Sequence, residues 1–344
     1  LFPYTTLFRS ETMTKLQPFF DMNCSFANTA NRACSLIYSY IKKHGDGTWL
    51  LPVNICPDVP LTFKLAGVDI EFVDIDASSL CIDTNECLRR LLQCPDKYAG
   101  VVYVRTYGYL SDTSQFVSKC KAIKPSLKIL DDRCLCIPQR QPNMYNADMV
   151  LYSTGHCKQI DLGGGGLAYY QSEEPYVIDE HLSYDGIDEE AIYKAAYARN
   201  EILHQMPTGW LKMSEFMTLE DYLDRIESKA KERKSYRAKL NNIYSLNLPK
   251  AIQFDNCYND WRFNIKVSSS MKQEILQALF ENELFASNHY HSVNRLFDDK
   301  RYPNSDALYS SVINLFNDIN YSEDMATKTC DIIASFTIMG GGNS

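Results

Sequence analysis

Short apolar runs and longer stretches of helical period take turns along the first half of this chain. Thr48 to Val53, Ile70 to Val73, Gly100 to Val104, Leu127 to Leu130 and Met149 to Tyr152 read as buried strands. Pro57 to Ala66, Thr84 to Leu92 and about Asp112 to Ile123 read as the helices between them. Another helix is read from Thr29, with Ala33, Leu36, Ile37, Tyr40 and Ile41 on one face. Asn28 and Thr29 are its candidate caps, Gly45 and Gly47 its end, and residues 11–27 before it read as irregular. Strands separated by helices of this length predict an α/β fold built on a mostly parallel, doubly wound sheet.

After Gln171 the pattern changes. Ile187 to about Ile243 is charged and helical, and Glu227, Lys229, Lys231, Glu232, Arg233 and Lys234 read as a solvated face. From Trp261, a strand (Arg262 to Val267), a helix (Met271 to Asn282) and a closing helix after Ser322 predict a small C-terminal α+β domain. The expected division is a large domain over 11–185, a helical connector over 186–250 and a small domain over 251–344. Residues 1–10, Leu-Phe-Pro-Tyr-Thr-Thr-Leu-Phe-Arg-Ser, resemble a translated sequencing adapter and are set apart from the fold.

A chain of 344 residues with 45% hydrophobic and 23% charged residues has an ordinary globular composition. Its net charge of −8 argues against nucleic acid or an anionic membrane as main partner, and no apolar run approaches the ~20 residues of a membrane span. The twelve cysteines are irregularly spaced, without a paired Cys-x-x-Cys, so reduced thiols in a cytoplasm are expected and no metal site is read.

Candidate chemistry gathers between Leu127 and Tyr169. One apolar run ends in Asp131-Asp132; the next delivers Ser153 and then Lys158, and Gly163 to Gly166 follow. Open α/β sheets bind ligands at the C-terminal ends of their strands. An acid, a hydroxyl and a lysine there suit pyridoxal phosphate: the lysine reacts with the aldehyde, the acid pairs with the ring nitrogen, and small polar groups hold the phosphate. Solubility at strand ends is the competing explanation. The segment Asn31-Arg32-Ala33 is a candidate anion site at a helix start, or simply a capped surface helix. Arg32 and Arg105 are candidate anion contacts or surface residues. The glycine block either lets backbone approach a ligand or a partner subunit closely or is a plain turn.

In order along the chain, these features resemble the DegT–DnrJ–StrS family of fold-type I pyridoxal-phosphate enzymes, which aminate nucleotide-linked keto sugars. Leu51-Pro52-Val53-Asn54 and the stretch from Ala66 to Asp76 look like its second and third blocks. Arg105-Thr106-Tyr107-Gly108, with Asp112 after it, is similar to the family's His-x-Tyr-Gly block. Asp131-Asp132 stands where the family has Glu-Asp, and Ser153-Thr154-Gly155-His156-Cys157-Lys158 resembles Ser-Phe-His-x-x-Lys. Ser287-Asn288-His289-Tyr290 and Val312-Ile313-Asn314-Leu315 resemble the small-domain blocks.

The resemblance implies a pyridoxal 5'-phosphate aminotransferase with Lys158 as the Schiff-base lysine and Asp132 as the pyridinium partner. It further implies Ser153, Asn31, Arg32 and Ala33 at the phosphate, Cys56 over the ring, and His289, Tyr290 and Arg105 toward substrate. The implied partners are an activated keto sugar, an amino-acid donor such as glutamate, and a second copy of the chain. Departures accompany the likeness. Cys56 stands where the family places an aromatic ring after its Pro-x-x-Thr, and Leu135 replaces the glutamine after Glu-Asp. Leu211 lies near the place of a partner-subunit asparagine, with Lys212 as a candidate substitute or an exposed lysine. These departures leave a catalytically weak or non-enzymatic dimeric homologue as the alternative. The lysine, in place of histidine, argues against the family's sugar 3-dehydratases.

Overall fold

The structure, a computed structural model, describes residues 26–171, 189–199, 201–203 and 217–339. Its larger part is a seven-stranded sheet. The strands are β1 (Phe26–Ala30), β2 (Thr48–Pro52), β3 (Ile70–Val73), β4 (Tyr98–Val104), β5 (Lys128–Asp132), β6 (Met149–Ser153) and β7 (Gly166–Tyr170). They lie in the order β1-β7-β6-β5-β4-β2-β3. Strands β3, β2, β4, β5 and β6 run parallel; at one edge β7 is antiparallel to β6 and β1 is antiparallel to β7, so β1 points the same way as the parallel strands. All seven residues of β4 are buried, as a central parallel strand covered on both faces requires.

Helices α1 (Ala33–His44), α2 (Asp58–Ala66), α3 (Thr84–Gln93) and α4 (Ser114–Ile123) connect these strands. Capping explains their limits. Asp83 accepts from the amides of Asn85 and Glu86 to start α3, and Gly67 in the left-handed region (φ 74°) stops α2. One core face gathers Leu36, Ile37 and Ile41 of α1 with Trp49, Leu51, Phe63, Val102, Leu130 and Leu151. The other gathers Leu50, Val101 and Ile129 with Cys87 and Leu91 of α3 and Phe116 and Val117 of α4.

The expected start of α1 is corrected. Asn28 and Thr29 are strand residues of β1, paired with Ala168 and Leu167 of β7, and the helix begins at Ala33. Asn and Thr carry strong local cap preferences, but the open edge of β7 supplies backbone partners that override them. Residues 26 and 27, read as irregular, belong to the same strand. Residues 1–25, including the adapter-like segment, lie outside the described residues, as do Leu211 and Lys212.

Beyond the sheet, α5 (Glu189–Arg199) and α6 (Leu219–Asn247) take up the charged helical stretch. Thr218 caps α6 by accepting from the Asp221 amide. A three-stranded antiparallel sheet then forms from β8 (Phe263–Lys266), β9 (Ala286–Ser287) and β10 (Val312–Leu315), in the order β8-β10-β9. Helices α7 (Ser269–Glu281), α8 (Pro303–Ser311) and α9 (Glu323–Met339) accompany it. Its core joins Ile265, Ile275, Leu279, Ile313 and Ile333 to Leu240 and Tyr244 of α6. The second half of α6 therefore packs as part of the small unit, while Tyr222, Leu223 and Ile226 of its first half pack with Val150 and Tyr152 of β6. The long helix spans both cores. Among the described residues, no helix is long and apolar enough to cross a membrane.

Candidate active site

A cavity of about 1050 Å³ opens at the C-terminal ends of β5 and β6, between the large sheet and the small unit. That is room for a cofactor together with a second ligand of some size. Period-two alternation at the end of β5 separates its two acids. Asp132 lines the cavity; Asp131 is buried on the other side. The Asp132 Oδ1 atom accepts from the Cys134 amide at 2.9 Å, and its carbonyl accepts from the Arg105 amide at 2.9 Å. Burial lifts its carboxyl above the ordinary range, against the pull of Cys134 and of the Lys158 charge.

Lys158 reaches the same cavity from the loop after β6. Burial disfavours its ammonium, but the acidic groups around it, Tyr290, Cys134, Cys56 and Asp132, raise its pKa above the ordinary lysine value as they ionise, with Asp132 the carboxylate among them. The loop is stapled at several points. Thr154 Oγ1 donates to the Gly164 carbonyl at 2.6 Å, and the Leu162 amide donates to the Thr154 carbonyl at 2.9 Å. On either side of Lys158, Trp261 Nε1 donates to the Cys157 carbonyl at 2.8 Å, and Gln159 Nε2 donates to the Leu135 carbonyl at 2.8 Å. The lysine therefore stands on a loop tied to the small unit and to the β5 end.

Ser153, the last residue of β6, lines the cavity with Asn31, Arg32 and Ala33 at the start of α1. Among the described residues no side chain caps this helix, and the Ser35 amide donates to the Arg32 carbonyl at 3.2 Å. The glycine block packs against this start. A Cβ on Gly166 would fall 2.6 Å from Ala33 Cα and 2.7 Å from its nitrogen, so only glycine fits. The Gly165 amide donates to the Asn31 carbonyl at 2.6 Å. Amides, a hydroxyl and the Arg32 guanidinium, which lies 3.8 Å from Asp58, thus converge on one wall suited to a bound anion.

Cys56 also lines the cavity, with Cys34 and Cys134. Burial pushes the Cys56 thiol up to about 12 and the other two well above the usual range, so all three are neutral. From the small unit come His289 and Tyr290. The His289 amide donates to Asn314 Oδ1 at 2.7 Å, and its carbonyl accepts from the Tyr107 hydroxyl at 2.6 Å. Burial and the Lys158 charge hold its imidazole down at about 4.

Arg105 is a correction. Its side chain is 0% exposed and does not line the cavity. Its Nε and Nη2 each lie 2.7 Å from an Asp131 oxygen, and its other donors reach Ser111 and Thr113. Arg133 binds the same carboxylate at 2.7 Å. Two buried arginines flanking one carboxylate form a network beneath the site, and every Arg105 donor is taken up within it. The remaining predicted residues, Lys158, Asp132, Ser153, Asn31, Arg32, Ala33, Cys56, His289 and Tyr290, are brought to the one cavity.

Sequence reasoning missed Trp261, Tyr193, Tyr197, Cys34, Cys134 and His291, all in the cavity wall. Cys134, two residues after Asp132, had a positional signal; the others come from elements whose docking no local pattern announces.

The fold is shared with solved structures described as pyridoxal-phosphate-dependent aminotransferases. Solved structures with this architecture include DesI in the presence of its TDP-sugar product (TM-score 0.70, 13% identity, 92% of this chain and 82% of that one). PseC of Helicobacter pylori, an aminotransferase of pseudoaminic acid biosynthesis, matches at TM-score 0.65 and 15% identity over 91% and 86% of the two chains. A DegT/DnrJ/EryC1/StrS aminotransferase from Brucella abortus matches at 0.64 and 14% over 91% and 86%. No protein-family model matches the chain, and no curated protein matches it in sequence.

Proposed function

We propose that this protein is a pyridoxal-phosphate-dependent aminotransferase that transfers an amino group, with glutamate as donor, to an activated, nucleotide-linked keto sugar. The observation that carries the reading is the meeting of Lys158 and Asp132 in one cavity, with an anion-binding wall formed by Ser153 and the start of α1. An amine, a buried carboxylate and an anion cradle are the donor set the cofactor needs. When bound, pyridoxal phosphate supplies an aldehyde carbon that amines add to and a ring that draws electron density from the reacting carbon.

The chain's own groups have separable tasks. Asp132 holds a proton on the ring nitrogen, because a carboxylate beside it favours the charged form. Lys158 Nζ would be the amine that holds the cofactor's aldehyde end and the base that moves a proton at the reacting carbon. Ser153 and the α1 amides hold the phosphate, and Arg32 adds charge there. His289 and Tyr290 face the substrate side. The working unit is a homodimer in the cytoplasm, with the site completed by the partner chain. A weak or non-enzymatic homologue is not favoured, because the reactive lysine and its acid share the cavity.

The test is spectroscopic. Purified protein titrated with pyridoxal phosphate should acquire a visible absorption band, which glutamate should then bleach as the amino group passes to the cofactor. No band at saturating cofactor would overturn the reading, and a band that no amino donor alters would favour the non-enzymatic alternative.

A further inference from the structure

Helix α6 passes from the large core to the small one between Ile226 and Leu240, and Arg237 lies at that crossing. Arg237 is only 5% exposed. Its Nη1 donates to Gln159 Oε1 at 3.3 Å, and its Nε donates to Asn317 Oδ1 at 3.4 Å. Gln159 follows Lys158 in the chain; Asn317 lies two residues beyond β10, in the small unit. One guanidinium therefore bridges the loop that carries the lysine and the small unit.

Both ends of the bridge are fixed. Gln159 Nε2 donates to the Leu135 carbonyl at 2.8 Å, and a Cβ on Gly108 would lie 3.2 Å from the same nitrogen, so this amide has little room to shift. Asn317 is fully buried, and its Nδ2 donates to Asn241 Oδ1 at 2.9 Å and to the Asn259 carbonyl at 3.2 Å. The other flank of Lys158 is held from the same unit. Trp261 binds the Cys157 carbonyl, the Arg262 guanidinium lies 5.3 Å from the Trp261 ring centroid, and Arg262 pairs with Asp318 at 2.7 Å.

The Arg237 charge is costly where it stands. Burial and the nearby Arg262 and Arg233 bring its pKa down to about 10, against the pull of Asp318 and Asp260, and it stays protonated at neutral pH. Its two acceptors are neutral amide oxygens, and buried charge adds little stability even when paired. What the contact supplies is direction: a planar guanidinium making charge-assisted bonds holds its acceptors in one geometry.

We propose that Arg237 is a positioning residue for Lys158, acting through Gln159 to tie the lysine's loop to the small unit. The proposal rests on the aminotransferase reading only in the cofactor arm of its test.

Wild type, Arg237→Met, Gln159→Leu and the double variant are compared in two measurements. In the cofactor-free protein, trace acetylation by acetic anhydride at mildly alkaline pH is read by mass for each lysine of the digest. In the second measurement, affinity for pyridoxal phosphate is read from the visible band. The expected result in Arg237→Met is acetylation of Lys158 about three- to tenfold faster, because a loosened loop exposes its amine, and cofactor affinity weaker by about the same factor. The other lysines keep their rates. In the Gln159→Leu background, Arg237→Met adds nothing to either quantity, since the bond through which it acts is already gone.

A folded Arg237→Met with unchanged Lys158 acetylation overturns the proposal. Effects of equal size with and without Gln159 overturn it too, as does faster acetylation spread over all lysines, which marks a merely structural role. If Arg237→Met does not fold, Arg237→Lys takes its place. Its single ammonium cannot span both oxygens, so the same changes are expected and their absence overturns the proposal. Wild type that takes up no pyridoxal phosphate defeats the aminotransferase reading instead and leaves the acetylation rates to decide this one.

Discussion

Two adjacent aspartates end β5, and their environments give them opposite consequences when neutralised. Asp132→Asn removes the carboxylate facing the cavity, and the expected result is an at least ~10²-fold loss of turnover in a folded protein. Asp131→Asn strips the shared partner from Arg105 and Arg133, leaving buried guanidinium charge uncompensated. Its expected effect is a loss of about 3–5 kcal/mol of stability in urea or thermal unfolding. The sequence places Asp132 rather than Asp131 at the cofactor; burial of Asp131 between two arginines makes it the member that matters for stability. His289 makes a pH prediction. Its folded pKa of about 4 lies below the ordinary 6.5, so between those values the unfolded chain binds more protons. Its contribution to stability is full above pH 6.5 and falls away as pH drops toward 4. Asp132, with its raised carboxyl, works in the opposite sense, so the clean measurement is a difference. His289→Asn should flatten the decline in unfolding midpoint from pH 6.5 to 4 relative to wild type; an identical slope in both would contradict the assigned neutral state.

At the scale of elements, the strands that build the site were legible because each is a short apolar run closed by polar residues, as at Asp131-Asp132 and Ser153. β1 was not legible. Its backbone hydrogen bonds go to β7, more than 130 residues later, and no local pattern reveals that pairing. The loop bearing Lys158 is similar: the motif was visible, but not its anchorage by Trp261, a tertiary contact about 100 residues away in sequence. Trp261→Phe keeps most of the packing and deletes the bond to the Cys157 carbonyl, an expected cost of about 0.5–1.5 kcal/mol. Weaker cofactor uptake should accompany it if the anchorage positions Lys158; stability loss with unchanged uptake would make the bond merely structural. Gly166→Ala places a methyl against the first turn of α1. The strain is expected to cost about 1–3 kcal/mol and to weaken cofactor affinity by disturbing the anion wall. A variant as stable as wild type would show that the approach is looser than described.

The molecule as a whole joins a parallel sheet and a smaller antiparallel unit through α6, whose two halves belong to different cores. The alternation of strand and helix made the large unit predictable. The small unit was readable only in outline, because β9 is two residues long and gains its place by pairing with β10. Sedimentation at working concentrations should give a dimer, and a monomer that retains activity would remove the proposed sharing of sites between subunits. The central claim, however, is the pairing of cofactor with one lysine. The protein is saturated with pyridoxal phosphate, reduced with borohydride, digested, and its peptides are mapped by mass. The expected result is a pyridoxyl label on Lys158 alone, absent from Lys158→Ala. A label on a different lysine, or a coloured wild-type protein that carries none after reduction, would contradict the claim.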